Sequence, residues 1–200
     1  MLSLRLKQIA DLVPDNSLII NVGTDHALLE IYLNKERNID CIGTDINKWC
    51  VNKAIDNVKL CNLNIPIIQA DGINGIDIKN RIVIISGMGT RNILKILKRK
   101  IDNDLIIQSN NDVDKLIKKI KQKGYYIYDI KTVFDGKWYV ITYFKRKKLF
   151  YLNARIKSDG YYNYLISIKK KEINQIPSKY IVRILLKKVE LFNLRLKLIF

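Results

Sequence analysis

Apolar residues recur along this 200-residue chain in two distinct rhythms. Leu6, Ile9, Ala10 and Val13 stand at helical spacing behind Ser3, a residue type that caps helix starts. Pro14-Asp15 closes the run, which predicts a helix over 4–13. Short apolar runs then follow at roughly 20-residue intervals: SLIINV (17–22), DCIGTD (40–45), IPIIQAD (65–71), RIVIISG (81–87) and DLIIQS (104–109), with helix-like stretches or loops between them. Runs of this kind mark strands buried on both faces. Their alternation with helices predicts a parallel sheet covered on both sides.

The rhythm then changes. YYIYDIKTVF and KWYVITYFK flank Asp135-Gly136, a two-residue hairpin signal, so the sheet is expected to end in an antiparallel pair. Five parallel strands followed by a hairpin is similar to the element order of class I S-adenosylmethionine (SAM) methyltransferases, an α/β, Rossmann-like fold class; plain dinucleotide-binding sheets have no reason to end that way. Beyond Arg146-Lys147-Lys148 the pattern is helical only. Val182, Leu185, Val189, Phe192, Leu196 and Ile199 follow a heptad spacing. Tyr162, Leu165, Ile166, Ile173 and Ile176 precede them, ahead of Pro177-Ser178, which predicts a small antiparallel helical hairpin with its lysines outside. Helices this short can equally pack on the sheet.

Charge sharpens this division. The net charge is +17, and residues 145–200 hold 15 Lys or Arg against 3 Asp or Glu. Clustered positive charge attracts a polyanion by counterion release, so nucleic acid is the expected partner, with Lys145, Arg146, Lys147, Lys148, Arg155, Lys169, Lys170 and Lys171 as its contacts. Three widely spaced cysteines, Cys41, Cys50 and Cys61, give neither a disulfide framework nor a zinc motif. Arg5, Lys7 and Asp11 interrupt the apolar residues of the N-terminus, and no run is long enough to span a membrane. A cytoplasmic protein without an obligate protein partner is expected.

The candidate chemistry starts at NVGTDHA (21–27), where the first strand ends. In open α/β sheets ligands bind beyond the carboxyl ends of strands. One glycine stands there where the dinucleotide fingerprint wants three, which argues against a pyrophosphate cradle. A cofactor without phosphate needs only one close-approach glycine, and Gly23 fits. Asp45 ends the second strand, 22 residues later, where a carboxylate can accept both ribose hydroxyls; its other role would be capping the next helix, which Asn47 can fill instead. Asp71-Gly72 suits either a contact to the adenine edge or an ordinary turn. His26, the single histidine, has no companions for a metal site and reads as a capping or packing residue. Asp25 at the mouth of the turn can be aimed at a reacting group. Gly87 and Gly89 around Met88 let a flat group approach the backbone, and Asn110 suits either a base-edge contact or the cap of a helix over 112–123.

In combination, LSLRLKQIADLVP, NVGTDHALL, DINKWCVNKAIDNV, ADGI, IISGMGT, LIIQSNN and DGKWYVI occur in an order and at intervals that resemble the bacterial tRNA adenine-22 N1-methyltransferase family, TrmK, over roughly residues 1–145. The resemblance implies SAM-dependent methylation of ring nitrogen N1 of an adenine in the D-arm of tRNA, without a metal. Gly23, Thr24, Asp45, Asp71, Gly72, Gly87 and Met88 would line the SAM pocket, Arg5 would close it, and Asp25 and Asn110 would serve the target base. The chain departs from the family at Asn21 (for Asp), Glu30 (for Pro), Lys48-Trp49 (for Gly-Pro), Thr90 (for Gly), Ser109 (for Pro) and Val140 (for an acidic residue). Asn21 keeps an acceptor but loses a charge that would order the turn and attract SAM. A catalytic domain over 1–148 and a basic tRNA-docking hairpin over 149–200 are the expected organisation. Methylation of another RNA base, or RNA binding without catalysis, are the alternatives.

Overall fold

The structure is a computed structural model that describes residues 2–146, 159–177 and 183–191. Helix α1 (Leu4–Leu12) starts where the Ser3 hydroxyl accepts the Leu6 N–H at 3.3 Å. Its buried side is Ile9, Ala10 and Leu12. Strand β1 (Leu18–Val22), helix α2 (Leu28–Arg37), β2 (Asp40–Asp45), α3 (Lys48–Leu60) and β3 (Ile67–Gln69) follow, then β4 (Arg81–Met88), α4 (Thr90–Ile96), β5 (Leu105–Ser109) and α5 (Val113–Gln122). The chain then forms the hairpin of β6 (Tyr126–Asp135) and β7 (Lys137–Lys145), and α6 (Asp159–Asn174) comes last.

The seven strands lie in the order β3-β2-β1-β4-β5-β7-β6, with β7 antiparallel to both of its neighbours and all other pairings parallel. Order reverses at β1, which pairs with β2 on one edge and β4 on the other. Crevices open at such a switch point because the crossovers on either side leave in opposite directions. Alternation along β1 splits the core: Ile19 joins a cluster with Ile9, Leu29, Leu33 and Ala54 on the α1–α3 face, and Ile20 and Val22 join Ile93, Leu116 and Ile120 on the α4–α5 face. In α5 the buried residues Val113, Leu116 and Ile120 are one stripe, and its lysines fall outside it.

The last helices differ from the expected seam. Helix α6 sets Tyr164, Leu165 and Ile168 against Val113, Ile130 and Val140, so it packs on α5 and the hairpin. Residues 183–191 are helical, but Leu185 and Val189 are exposed, and the less exposed side is Ile184, Lys187 and Leu191. Two ion pairs link it to α6, Lys169–Glu190 at 2.6 Å and Lys187–Glu172 at 3.2 Å, and an i,i+3 pair within each helix, Lys169–Glu172 at 3.0 Å and Lys187–Glu190 at 3.3 Å, completes the cluster. The two pairs that cross, Lys169–Glu190 and Lys187–Glu172, lie on the Lys187 side of the helix and not on its heptad stripe. Val182, Phe192, Leu196 and Ile199 lie outside the described residues.

The α1 end is held in trans. The Arg37 guanidinium, on the last residue of α2, donates to the carbonyls of Ala10 and Val13 at 2.7 Å each and pairs with Asp15. The Ala10 carbonyl also accepts the Val13 N–H at 3.0 Å, so Arg37 adds a charged donor to the last turn of the helix and to the carbonyl just past it. Arg37→Ala is expected to lower unfolding free energy by roughly 2 kcal/mol in urea denaturation. Asp15→Ala, which removes only the exposed partner, is expected to change it by less than about 0.5 kcal/mol.

Candidate cofactor site

Beyond the carboxyl ends of β1, β2 and β4 lies a cavity of about 330 Å³, lined by Arg5, Asn21, Gly23, Thr24, Asp25, His26, Asp45, Gly87 and Met88 among others. The turn that floors it is built of alternating left-handed residues: Gly23, Asp25 and Ala27 have φ of 79°, 52° and 55°. Asp tolerates this region, whereas Ala does so at a cost, and a buried Ala27 held there is a locally strained backbone paid for by its surroundings. The Gly23 and Thr24 N–H groups both donate to Thr44 O, at 2.7 and 2.9 Å, tying the turn to β2. A Cβ on Gly23 would stand 2.3 Å from Met88 Cε, so the Met88 side chain crosses directly over the glycine.

Asp45 Oδ1 accepts the Asn47 N–H at 2.9 Å and Oδ2 accepts the Asp25 N–H at 3.3 Å. The cap of α3 is Asn47, whose Oδ1 accepts the Trp49 N–H at 2.9 Å. Asp45 is thereby left at the cavity, fixed by two backbone donors. The Asp25 carboxylate is mostly exposed and stands 3.5 Å from His26 Nε2, and among the described residues no arginine holds it. His26 meets the Trp49 ring edge-on with centroids 6.2 Å apart. Among the described residues no three His, Cys, Asp or Glu side chains gather as a metal site requires.

On the opposite wall one buried amide organises three elements. Gln108 Oε1 accepts Arg5 Nη1 at 2.9 Å and the Gly87 N–H at 3.0 Å, and its Nε2 donates to Asn110 Oδ1 at 3.2 Å. Asn110 Nδ2 in turn donates to Gly87 O at 2.6 Å. The Asn110 side chain therefore braces the β4 turn and does not cap α5, whose first residue follows Asp112. Arg5 also lies over the Tyr139 ring, 5.6 Å from its centroid. Asp71 and Gly72 are not among the cavity's lining residues; Gly72 O accepts the Thr44 hydroxyl at 2.9 Å, beside β2.

The basic residues fall in three places. Lys145 ends β7 and Arg146 follows it; the strand runs against β5 and so finishes at the amino ends of the parallel strands, the far end from the cavity. Lys145 Nζ sits 3.8 Å above the Tyr128 ring. Arg146 bonds Asp102 at 3.0 Å and the Lys123 carbonyl. They border a cleft of about 740 Å³ there. Lys169 is taken up by Glu190 and Glu172, which hold its ammonium pKa above the ordinary value, whereas Lys170 and Lys171 are exposed. Lys147, Lys148 and Arg155 lie outside the described residues.

The site also contains a residue to which sequence reading gave no role. Glu30, in the first turn of α2, is fully buried: its Oε1 accepts Asn21 Nδ2 at 3.0 Å and the Thr24 hydroxyl. A glycine makes the space. A Cβ on Gly43 would lie 2.8 Å from Glu30 Oε1 and 2.9 Å from Thr24 Oγ1. Among the described residues Glu30 Oε2 and Asn21 Oδ1 have no partner. Burial pushes the Glu30 pKa from 4.5 up to about 7 despite its hydrogen bonds from Thr24 and Asn21. An acid whose folded pKa is raised stabilises the fold relatively below its unfolded pKa, and that contribution is lost as pH rises through the folded value. Glu30→Gln is therefore expected to gain stability against the wild type between pH 4 and pH 8 by roughly 3 kcal/mol, read from urea melts at the two pH values.

The cavity suits a nucleoside cofactor: a glycine cradle that a side chain would fill, a fixed carboxylate at the end of the second strand, and an unpartnered buried amide oxygen. Comparison with known proteins agrees. M. capricolum TrmK, solved with S-adenosylhomocysteine, is 28% identical, with 99% of this chain and 98% of that chain covered and a TM-score of 0.74. B. subtilis TrmK, an M1A22 tRNA methyltransferase, is 21% identical with 99% and 97% covered and a TM-score of 0.71. A Streptococcus pneumoniae protein solved with S-adenosyl-L-methionine is 22% identical, with 99% and 100% covered and a TM-score of 0.78. Residues 2–142 match the family described as Methyltransferase domain, which takes in every strand that builds the cavity, and the chain belongs to that family.

Proposed function

We propose that this protein is a cytoplasmic enzyme that moves a methyl group from SAM to ring nitrogen N1 of an adenine in tRNA, at position 22 of the D-arm. The observation that carries the reading is the left-handed Gly23–Ala27 turn facing a fixed Asp45 carboxylate at the switch point, in a chain whose likeness to M. capricolum TrmK runs through the C-terminal helices as well as the sheet. Bound SAM supplies an electrophilic methyl group on a positively charged sulfur. Asp45 would hold the ribose hydroxyls, Gly23 and Thr24 would give the cofactor close approach to the backbone, and Met88 would pack against it. Asp71 and Gly72, beside β2, would serve the adenine end.

Adenine N1 carries an in-plane lone pair and needs no prior deprotonation. The protein's work is to align that nitrogen and to exclude water. Methylation leaves positive charge on the ring, and the Asp25 carboxylate at the cavity mouth would stabilise it and accept a proton from the exocyclic amine. Asn110 and Gln108 act together by holding the Gly87 turn against which the base would lie. N1 is engaged in folded tRNA, so the nucleotide must be extruded to reach the cavity.

The RNA would approach at the hairpin tip. Because β7 starts where β5 ends, Asp135–Tyr139 lies at the cavity end of the sheet. Tyr139 there is flanked by Arg5 and by Lys137, whose Nζ is 5.0 Å from the ring centroid, and the exposed Phe134 meets Trp138 edge-on. Basic groups beside aromatic faces suit unstacked bases and their phosphates. Residues 149–200 would form a docking unit that grips the folded tRNA through Lys170, Lys171 and Arg155. Lys147 and Lys148 would extend this grip.

Nucleoside mass spectrometry of tRNA incubated with SAM and the protein is expected to show N1-methyladenosine, and tRNA with adenine 22 replaced is expected to show none. Asp25→Asn, which keeps a side chain tolerant of the left-handed backbone, is expected to bind SAM within about twofold of wild type and to lose about 100-fold in methyl transfer, near 3 kcal/mol. Equal losses in binding and transfer would make Asp25 a cofactor residue. Joint replacement of Lys170 and Lys171 by Ala is expected to weaken tRNA binding and to lower its log-log salt slope by about 1 to 2; an unchanged slope removes α6 from the RNA surface.

A further inference from the structure

The carboxylate absent from position 21 has a counterpart nine residues on. Asn21 lines the cavity from β1, and its amide is pinned on one side only: Nδ2 donates to Glu30 Oε1, and the buried Oδ1 has no partner among the described residues. A carboxylate has only acceptors to offer, so an ionised Glu30 forbids the flipped amide, which would set two oxygens against each other. We propose that Glu30 is a positioning residue for the amino-acid end of the cofactor: by fixing Asn21 it presents Oδ1 as an acceptor to the cofactor's α-ammonium, and its own buried charge favours that cation. This rests on the SAM reading above.

The surroundings of Glu30 are otherwise neutral. Thr24 approaches it from the turn, Gly43 from β2, and α1 and α3 add Ile9, Ala10, Ala54 and Val58 to the same core. The ionisable neighbour is the Cys41 thiol on β2, whose pKa burial and Glu30 together drive upward, so it stays neutral. Arg5, Asp25, His26 and Asp45 are the ionisable groups of the cavity wall. Protonation of Glu30 replaces an acceptor by an O–H donor. The Asn21 amide is then free to turn, and a donor rather than an acceptor can face the ammonium.

Calorimetric titration with S-adenosylhomocysteine and with 5′-methylthioadenosine, which has the same nucleoside and thioether but no amino acid, separates this role from a general effect on the pocket. Wild-type affinity for S-adenosylhomocysteine is expected to rise about tenfold from pH 5.5 to pH 7.5, while that for 5′-methylthioadenosine stays level. In Glu30→Gln, whose amide can donate to Asn21 Oδ1, affinity for S-adenosylhomocysteine is expected to be about tenfold lower at pH 7.5 and independent of pH, with 5′-methylthioadenosine unchanged. Adding Asn21→Asp to Glu30→Gln puts the charge back on β1 and is expected to restore binding. Equal weakening for both ligands, or a double variant as weak as the single one, overturns the positioning role and leaves the SAM reading standing. A wild-type protein that binds neither ligand overturns both.

Discussion

Strand β1 is hydrogen-bonded on both edges, to β2 and to β4, and its side chains are buried on both faces after Leu18. A strand so enclosed can release its chain only at its end. The backbone leaving Val22 has to turn at once, between helices that depart to opposite sides of the sheet. Three left-handed residues in five are the local answer, tied down by two N–H bonds to Thr44 O. The cavity is thus a by-product of sheet topology, and its chemical character comes from the side chains that the turn and the ends of β2 and β4 put around it.

The sequence was legible wherever a local rule sufficed. Ser3 caps α1 as its residue type and spacing predict, β2 spans Asp40–Asp45 as its run does, and Asp135-Gly136 closes the hairpin. The division of labour between Asp45 and Asn47 also follows from elementary capping chemistry. Glu30 was not legible. A glutamate in the first turn of a helix ordinarily complements the helix dipole from solvent, and its burial depends on Gly43, thirteen residues away on a neighbouring strand. Gln108 was hidden for the same reason: an amide inside an apolar strand gains its meaning from Arg5 and Gly87, which two other stretches of chain deliver, together with the nearby Asn110.

Charge was legible in amount and less so in place. Arg146 and Lys169 belong to the positive excess of the last quarter, yet each is used within the fold, one on Asp102 and the Lys123 carbonyl, the other across two glutamates. The reversal of chain direction at Gly136 carries Lys145 and Arg146 away from the cavity and brings Lys137 and Tyr139 toward it. Likewise the heptad spacing over 182–199 describes a stripe, but the two ion pairs to α6 lie on the Lys187 side of that helix, and Leu185 and Val189 are left exposed.

The narrow gap between β2 and α2 has a steric corollary. Glu30 occupies room that exists because position 43 carries only a hydrogen, so a methyl group there would collide with the carboxylate. The two sites are coupled: a side chain at 43 would require the Glu30 carboxylate, the Thr24 hydroxyl and the Ile67 methyl group all to give way, and the interior acid would lose the place it is held in.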